Sequence, residues 1–125
     1  MPTYQASSRN AYQRSAVLTA SKLQLVVMLY DGAHRFLAQA SNAMRERNVN
    51  DAHLKLRRAE MIIEHLRATL DMEQGGEIAF HLQRIYLFCS RYLNEARVNF
   101  DPERVDRVDG LLRELRGSWA QIARS

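Results

Sequence analysis

The chain has 125 residues, 46% hydrophobic and 26% charged, with a formal net charge of +4. These values fit a single globular domain whose one core buries roughly two-thirds of the unfolded surface. No run approaches the ~20 apolar residues of a membrane span, and Met1-Pro2-Thr3-Tyr4-Gln5 lacks the apolar core of a secretory signal, so a cytosolic protein with no stable membrane insertion is expected.

Residues 1–20 are polar, with scattered Tyr4, Tyr12, Val17 and Leu18, and are expected to form a mobile arm or a short cap helix. Thr19-Ala20-Ser21 supplies capping side chains before helix one, expected over about 21–47. Its second half carries a single stripe of Ala33, Phe36, Leu37, Ala40 and Met44. Its first half, Leu23 through Tyr30, is apolar at almost every position except Gln24. One buried face cannot use so many apolar residues, so this half needs a cover on a second side, which the arm can supply.

Asn50 is the expected cap of helix two, about 50–72, with Ala52, Leu56, Ala59, Ile63, Leu66 and Leu70 along one seam. Gly75-Gly76 ends the connection. Helix three, about 77–99, repeats the spacing with Ile78, Leu82, Ile85, Cys89, Tyr92 and Ala96. Asp101-Pro102-Glu103 starts helix four, about 102–123, whose inner face is Val105, Val108, Leu112, Leu115, Trp119 and Ile122. No segment alternates with period two. The expected fold is an all-α antiparallel up-down four-helix bundle over residues 21–125.

A wheel at ~100° per residue gives helices two and three a second apolar stripe. Leu54, Met61, Ala68 and Met72 oppose the seam of helix two, with Arg58 and His65 between. Phe80 and Leu87 oppose that of helix three, with Tyr86 and Phe88 on its flanks. Side by side, the two helices would present an outward apolar band rimmed by Arg58, Arg84 and Arg91. Such a surface marks a partner site, its methionines suit imperfectly matched partners, and its elongated shape suits amphipathic helices. The competing reading is that the arm or a fifth short helix covers the band and makes it core.

Other chemistry is weakly signalled. Cys89, the one cysteine, excludes an internal disulfide and reads as a core thiol on the helix-three seam. His34, His53, His65 and His81 fall on different segments with no ligand spacing, so no metal is expected. Asp71, Glu73 and Glu77 sit at a helix end and the next start, where capping explains them. There is no phosphate loop, nucleophile elbow or paired-carboxylate signature, so neither an enzyme nor a cofactor is expected. Nucleic-acid binding would need Arg57, Arg58, Arg104 and Arg107 on one face, and the basic residues instead alternate with acids, so no nucleic-acid partner is expected.

Several of these pieces together resemble the FliS family of flagellar secretion chaperones. They are Asn10-Ala11-Tyr12-Gln13, Thr19-Ala20-Ser21, Met28-Leu29-Tyr30-Asp31-Gly32-Ala33, the block Leu70-Asp71 … Gly75-Gly76-Glu77-Ile78-Ala79, and Gly110-Leu111-Leu112 … Trp119. Their order and spacing cover nearly the whole chain. The resemblance implies a cytosolic export chaperone, most simply a monomer, that binds the disordered C-terminal segment of flagellin one-to-one. It would prevent premature polymerisation and pass flagellin to a component of the type III export gate. It also implies an arm, here Tyr12 with Val17 and Leu18, that docks on part of the same surface, and a helix-one signature at Tyr30 and Asp31. The chain departs from many relatives at Lys22-Leu23, where a proline start is usual, and at Phe80 and Tyr86-Leu87-Phe88, where the outer face of helix three becomes more apolar. The alternative is a helical adaptor that uses the same groove for another amphipathic client of the flagellar system.

Overall fold

A computed structural model describes residues 22–124. Four helices follow one another: α1 (Lys22–Arg45), α2 (Val49–Ala68), α3 (Met72–Asn99) and α4 (Pro102–Arg124), with no strand among the described residues. Each packs on its neighbours in chain order, and α4 closes the ring against α1. The architecture is the expected four-helix bundle. Residues 1–21, including Tyr12, Val17, Leu18 and the Thr19-Ala20-Ser21 cap, lie outside the described residues.

The links are short because each helix end is satisfied locally. After α1, Asn48 N–H donates to Ala43 O (2.8 Å) around a left-handed Arg47, and after α3, Asp101 N–H donates to Ala96 O (2.9 Å) around a left-handed Phe100. Both are six-to-one closures that satisfy the last carbonyls. The Asp101 carboxylate then accepts from Glu103 N–H at 3.0 Å, the cap expected for α4.

Two boundaries differ from the sequence reading. Asn48, not Asn50, caps α2, its side-chain oxygen accepting from Asp51 N–H at 3.3 Å. α3 begins at Met72 instead of 77, because the Asp71 carboxylate accepts from Glu73 and Gln74 N–H at 3.1 and 3.0 Å. The helix runs through Gly75 and kinks at Gly76, whose φ of 54° and ψ of −129° suit only a residue without a Cβ. A short helical piece from Met72 to Gly75 and the long helix that follows therefore meet at a non-helical Gly76, and the long run starts after the glycine pair, as the sequence reading has it. Met72 consequently belongs to the first turn of α3 and not to α2.

The core is continuous from Met44 and Leu56 to Tyr30 and Leu66, with Cys89, Leu93, Val105 and Leu112 at its centre. On α3 the buried seam is Ala79, Leu82, Tyr86, Cys89, Leu93 and Ala96. It lies one residue off the expected one at three places. Ile78 is 71% exposed, and Ile85 and Tyr92 are only partly buried. Tyr86, expected on a flank, is 1% exposed; it enters the core because Tyr30 on α1 gives its hydroxyl a partner there. Ile122, expected on the inner face, is exposed, whereas Ala120 is buried.

Candidate functional site

Three separate recesses among the described residues are lined by apolar side chains. The first is the groove between α1 and α2. Leu25, Met28, Leu29 and Ile62 enclose about 410 Å³ there, with Arg35 and His65 at the edges. Gly32 forms part of its floor: a Cβ at that position would meet Ile62 Cδ1 at 3.1 Å, so the two helices approach closely over bare backbone. Met28 is 52% exposed, although it sits in the most apolar run of the chain. Farther along, Phe36 lies among three cations, with Arg35, Lys55 and Arg58 at 5.6, 5.9 and 5.7 Å from its ring centre. The groove is therefore apolar along its length and positive at its margins, which suits an amphipathic helix with acidic flanks.

The second zone is the groove between α3 and α4, about 390 Å³, lined by Ile85, Phe88 and Leu111 with His81, Arg84 and Arg91. The third is a recess of about 180 Å³ at the α2–α3 turn, where Val26, Leu70, Ile78 and Trp119 meet beside Gly75.

The band expected across α2 and α3 is interrupted. Leu54, Met61, Phe80 and Leu87 are exposed as expected, as are Ala68, Met72 and the charged Arg58, His65, Arg84 and Arg91. The space between the two helices, however, is lined by His53, Arg57, Glu60 and Arg97, with an ion pair between Glu60 and Arg97. Antiparallel packing also staggers the stripes. Glu60 is level with Arg97, and the His53 and Phe100 rings are 6.4 Å apart, so Leu87 lies roughly 8–14 Å of helix rise from the level of Met61. Arg58 and His65 turn instead toward α1, while Arg84 and Arg91 turn toward α4.

The helix-one signature divides in two. Tyr30 is buried, its hydroxyl 2.5 Å from that of Tyr86 and accepting from Trp119 Nε1–H at 3.2 Å. Burial raises the pKa of Tyr30, partly offset by those hydrogen bonds. Asp31 is exposed and accepts from Arg116 Nε–H at 2.9 Å, tying α1 to α4. Cys89 is buried, and burial pushes its thiol up to about 12, far from the range of a reactive thiolate. Among the described residues, no group of three or more His, Cys, Asp or Glu side chains is placed to hold a metal ion. No helix among the described residues is long and apolar enough to cross a membrane.

Arg57 and Arg58 lie on α2, whereas Arg104 and Arg107 lie on α4, which is not its neighbour in the ring. Arg104 is paired with Glu95, and Arg107 donates to the Tyr92 hydroxyl. The four arginines do not form one face. Sequence reasoning missed the role of α1 as a groove wall. The signal was present in the surplus of apolar residues from Leu23 to Tyr30, but nothing in one helix says which neighbour it faces.

Comparison with known proteins is consistent along the chain. Residues 4–125 match the profile of the family described as flagellar protein FliS. The chain is 38% identical to the flagellar secretion chaperone FliS of Salmonella typhimurium, covering 96% of this chain and 93% of the relative. It is 35% identical to FliS of Escherichia coli, covering 94% and 90%, and 32% identical to FliSB of Pseudomonas aeruginosa, covering 96% and 98%. A crystal structure described as a flagellar chaperone from bacteria shares the fold with a TM-score of 0.76 at 16% identity, over 92% of this chain and 96% of the other.

Proposed function

Given that the chain belongs to the FliS family of flagellar secretion chaperones, and so to a family of chaperones and not of enzymes, we propose that it is a cytosolic chaperone for the C-terminal segment of flagellin. In this reading it keeps flagellin from polymerising early and delivers it to the flagellar type III export apparatus. The observation that carries the reading is the α1–α2 groove, an apolar channel with positive margins among the described residues. A disordered, helix-prone tail presents the apolar stripe that would otherwise drive polymerisation. Binding folds that stripe onto Leu25, Met28 and Ile62, while Leu54 and Met61 extend the contact along the outer side of α2. Some of the interaction free energy is spent ordering the tail, which keeps release feasible. Tyr12, Val17 and Leu18 of the preceding segment are assigned to compete for the same surface, since that segment joins α1 three residues before Leu25.

The test is isothermal titration calorimetry with the C-terminal tail of flagellin from the same genome, and an N-terminal flagellin peptide as control. Saturable one-to-one binding with a negative heat-capacity change is expected. Met28→Asp should weaken it at least about tenfold, since an aspartate in an apolar groove is desolvated without a partner. Failure of the tail to bind the folded wild-type protein would overturn the flagellin assignment and favour another helical client.

A further inference from the structure

The α3–α4 groove takes no part in the reading above, and it too joins apolar side chains to cations. Its floor is Ile85 and Leu111, and the exposed Phe88 ring forms a wall. Its rim on α3 is cationic, made by His81, Arg84 and Arg91, and no acid lines it. One end is closed, where Phe88 stacks on Tyr92 with ring centres 5.4 Å apart and Arg107 donates to the Tyr92 hydroxyl at 2.8 Å.

Six arginines elsewhere in the molecule are neutralised. Arg45, Arg67, Arg97, Arg104, Arg113 and Arg116 each have a carboxylate within salt-bridge distance. Arg84 and Arg91 have none among the described residues, and Arg84 lies 5.9 Å from the Phe80 ring centre. An apolar floor beside unpaired guanidinium groups is complementary to a helix with one apolar and one acidic face.

We propose that the α3–α4 groove is a second docking site, taking an acidic amphipathic helix from a partner protein on the opposite side of the bundle from the α1–α2 groove. The chain's own N-terminal segment does not fit this groove, because residues 1–21 contain Arg9 and Arg14 and no acid. A second copy docking groove to groove would oppose like charges. A bilayer surface is flat and cannot reach Ile85 and Leu111, which are recessed between two helices.

The experiment uses the full-length protein and a fluorescein-labelled peptide of roughly five helical turns, with leucines on one face and glutamates on the other. Fluorescence anisotropy is read at low and moderate salt. Binding should weaken at least about tenfold when glutamine replaces the glutamates, and by a similar factor in Arg84→Glu/Arg91→Glu. Met28→Asp should leave it unchanged, which separates this site from the α1–α2 groove whatever binds there. Far-UV circular dichroism checks the fold of the charge-reversed variant; if it does not fold, Arg84→Gln/Arg91→Gln replaces it. The proposal is overturned if the acidic peptide fails to bind, if the glutamine peptide binds equally well, or if Met28→Asp removes binding. Retained binding in the folded arginine variant would also overturn it. Capture of anionic vesicles without peptide binding would replace the protein partner with a membrane surface.

Discussion

The hydroxyl oxygens of Tyr30 and Tyr86 lie 2.5 Å apart across the diagonal of the bundle, one carried by α1 and the other by α3. The indole N–H of Trp119 on α4 donates to the Tyr30 oxygen, so three helices meet in one buried polar chain. Tyr30 therefore holds the core together and does not face a partner. Its neighbour Asp31, on the surface, ties α1 to α4 through Arg116.

Tyr30→Phe leaves the Trp119 N–H without its acceptor and the Tyr86 hydroxyl without its partner. The expected loss is about 1–3 kcal/mol in urea unfolding, with helicity retained. Tyr30→Phe/Tyr86→Phe should lose less than the sum of the single variants, because the second change removes a group already left unpaired.

Stability should fall as pH rises above about 9. The Cys89 thiol stands at 9.0 in an exposed chain and is pushed by burial up to about 12 in the fold. Below that window both states hold the proton; within it, the unfolded chain releases the proton and the folded chain does not, so unfolding is favoured. Burial also raises Tyr30 and Tyr86 above 10.0, which adds in the same direction. Urea midpoints measured across this range should decline, and Cys89→Ala should reduce the decline in its lower part. A flat profile would contradict the buried placement of these groups.

Gly110 and Gly117 lie within α4, and a Cβ built at either meets nothing within 4 Å. No close approach inside the bundle explains them. Gly110→Ala and Gly117→Ala should each stabilise the protein by about 0.5–1 kcal/mol in thermal or urea unfolding, through helix propensity and a less flexible unfolded chain.

Gly32 gives the opposite expectation for binding. Gly32→Leu places a side chain in the α1–α2 groove against Ile62, and the flagellin tail should bind at least about tenfold more weakly. Gly32→Ala should change stability by under about 1 kcal/mol, because the Ile62 methyl can shift and the gain in helix propensity offsets the contact. Equal tail affinity in the wild type and Gly32→Leu would remove this groove from the client path.

The helices, their order and most of their inward residues are legible in the sequence, because a 3.6-residue apolar period and local capping act within one or two turns. The seam Ala52, Leu56, Ala59, Ile63 and Leu66, and the Asp101-Pro102 start, follow from that alone. The exposure of Met61, Leu87 and Phe80 does too, since residues opposite a seam cannot share its core. Tertiary structure decided what one helix cannot specify. On α3, apolar residues stand at both 85 and 86 and at both 92 and 93, so either of two seams satisfied the period until the Tyr30 hydroxyl gave Tyr86 an inward partner. The antiparallel stagger and the Glu60–Arg97 pair then separated two stripes that look continuous on paper, and the surplus apolar face of α1 became the wall of a groove. Periodicity determines which side of a helix is apolar; only packing determines which helix that side meets.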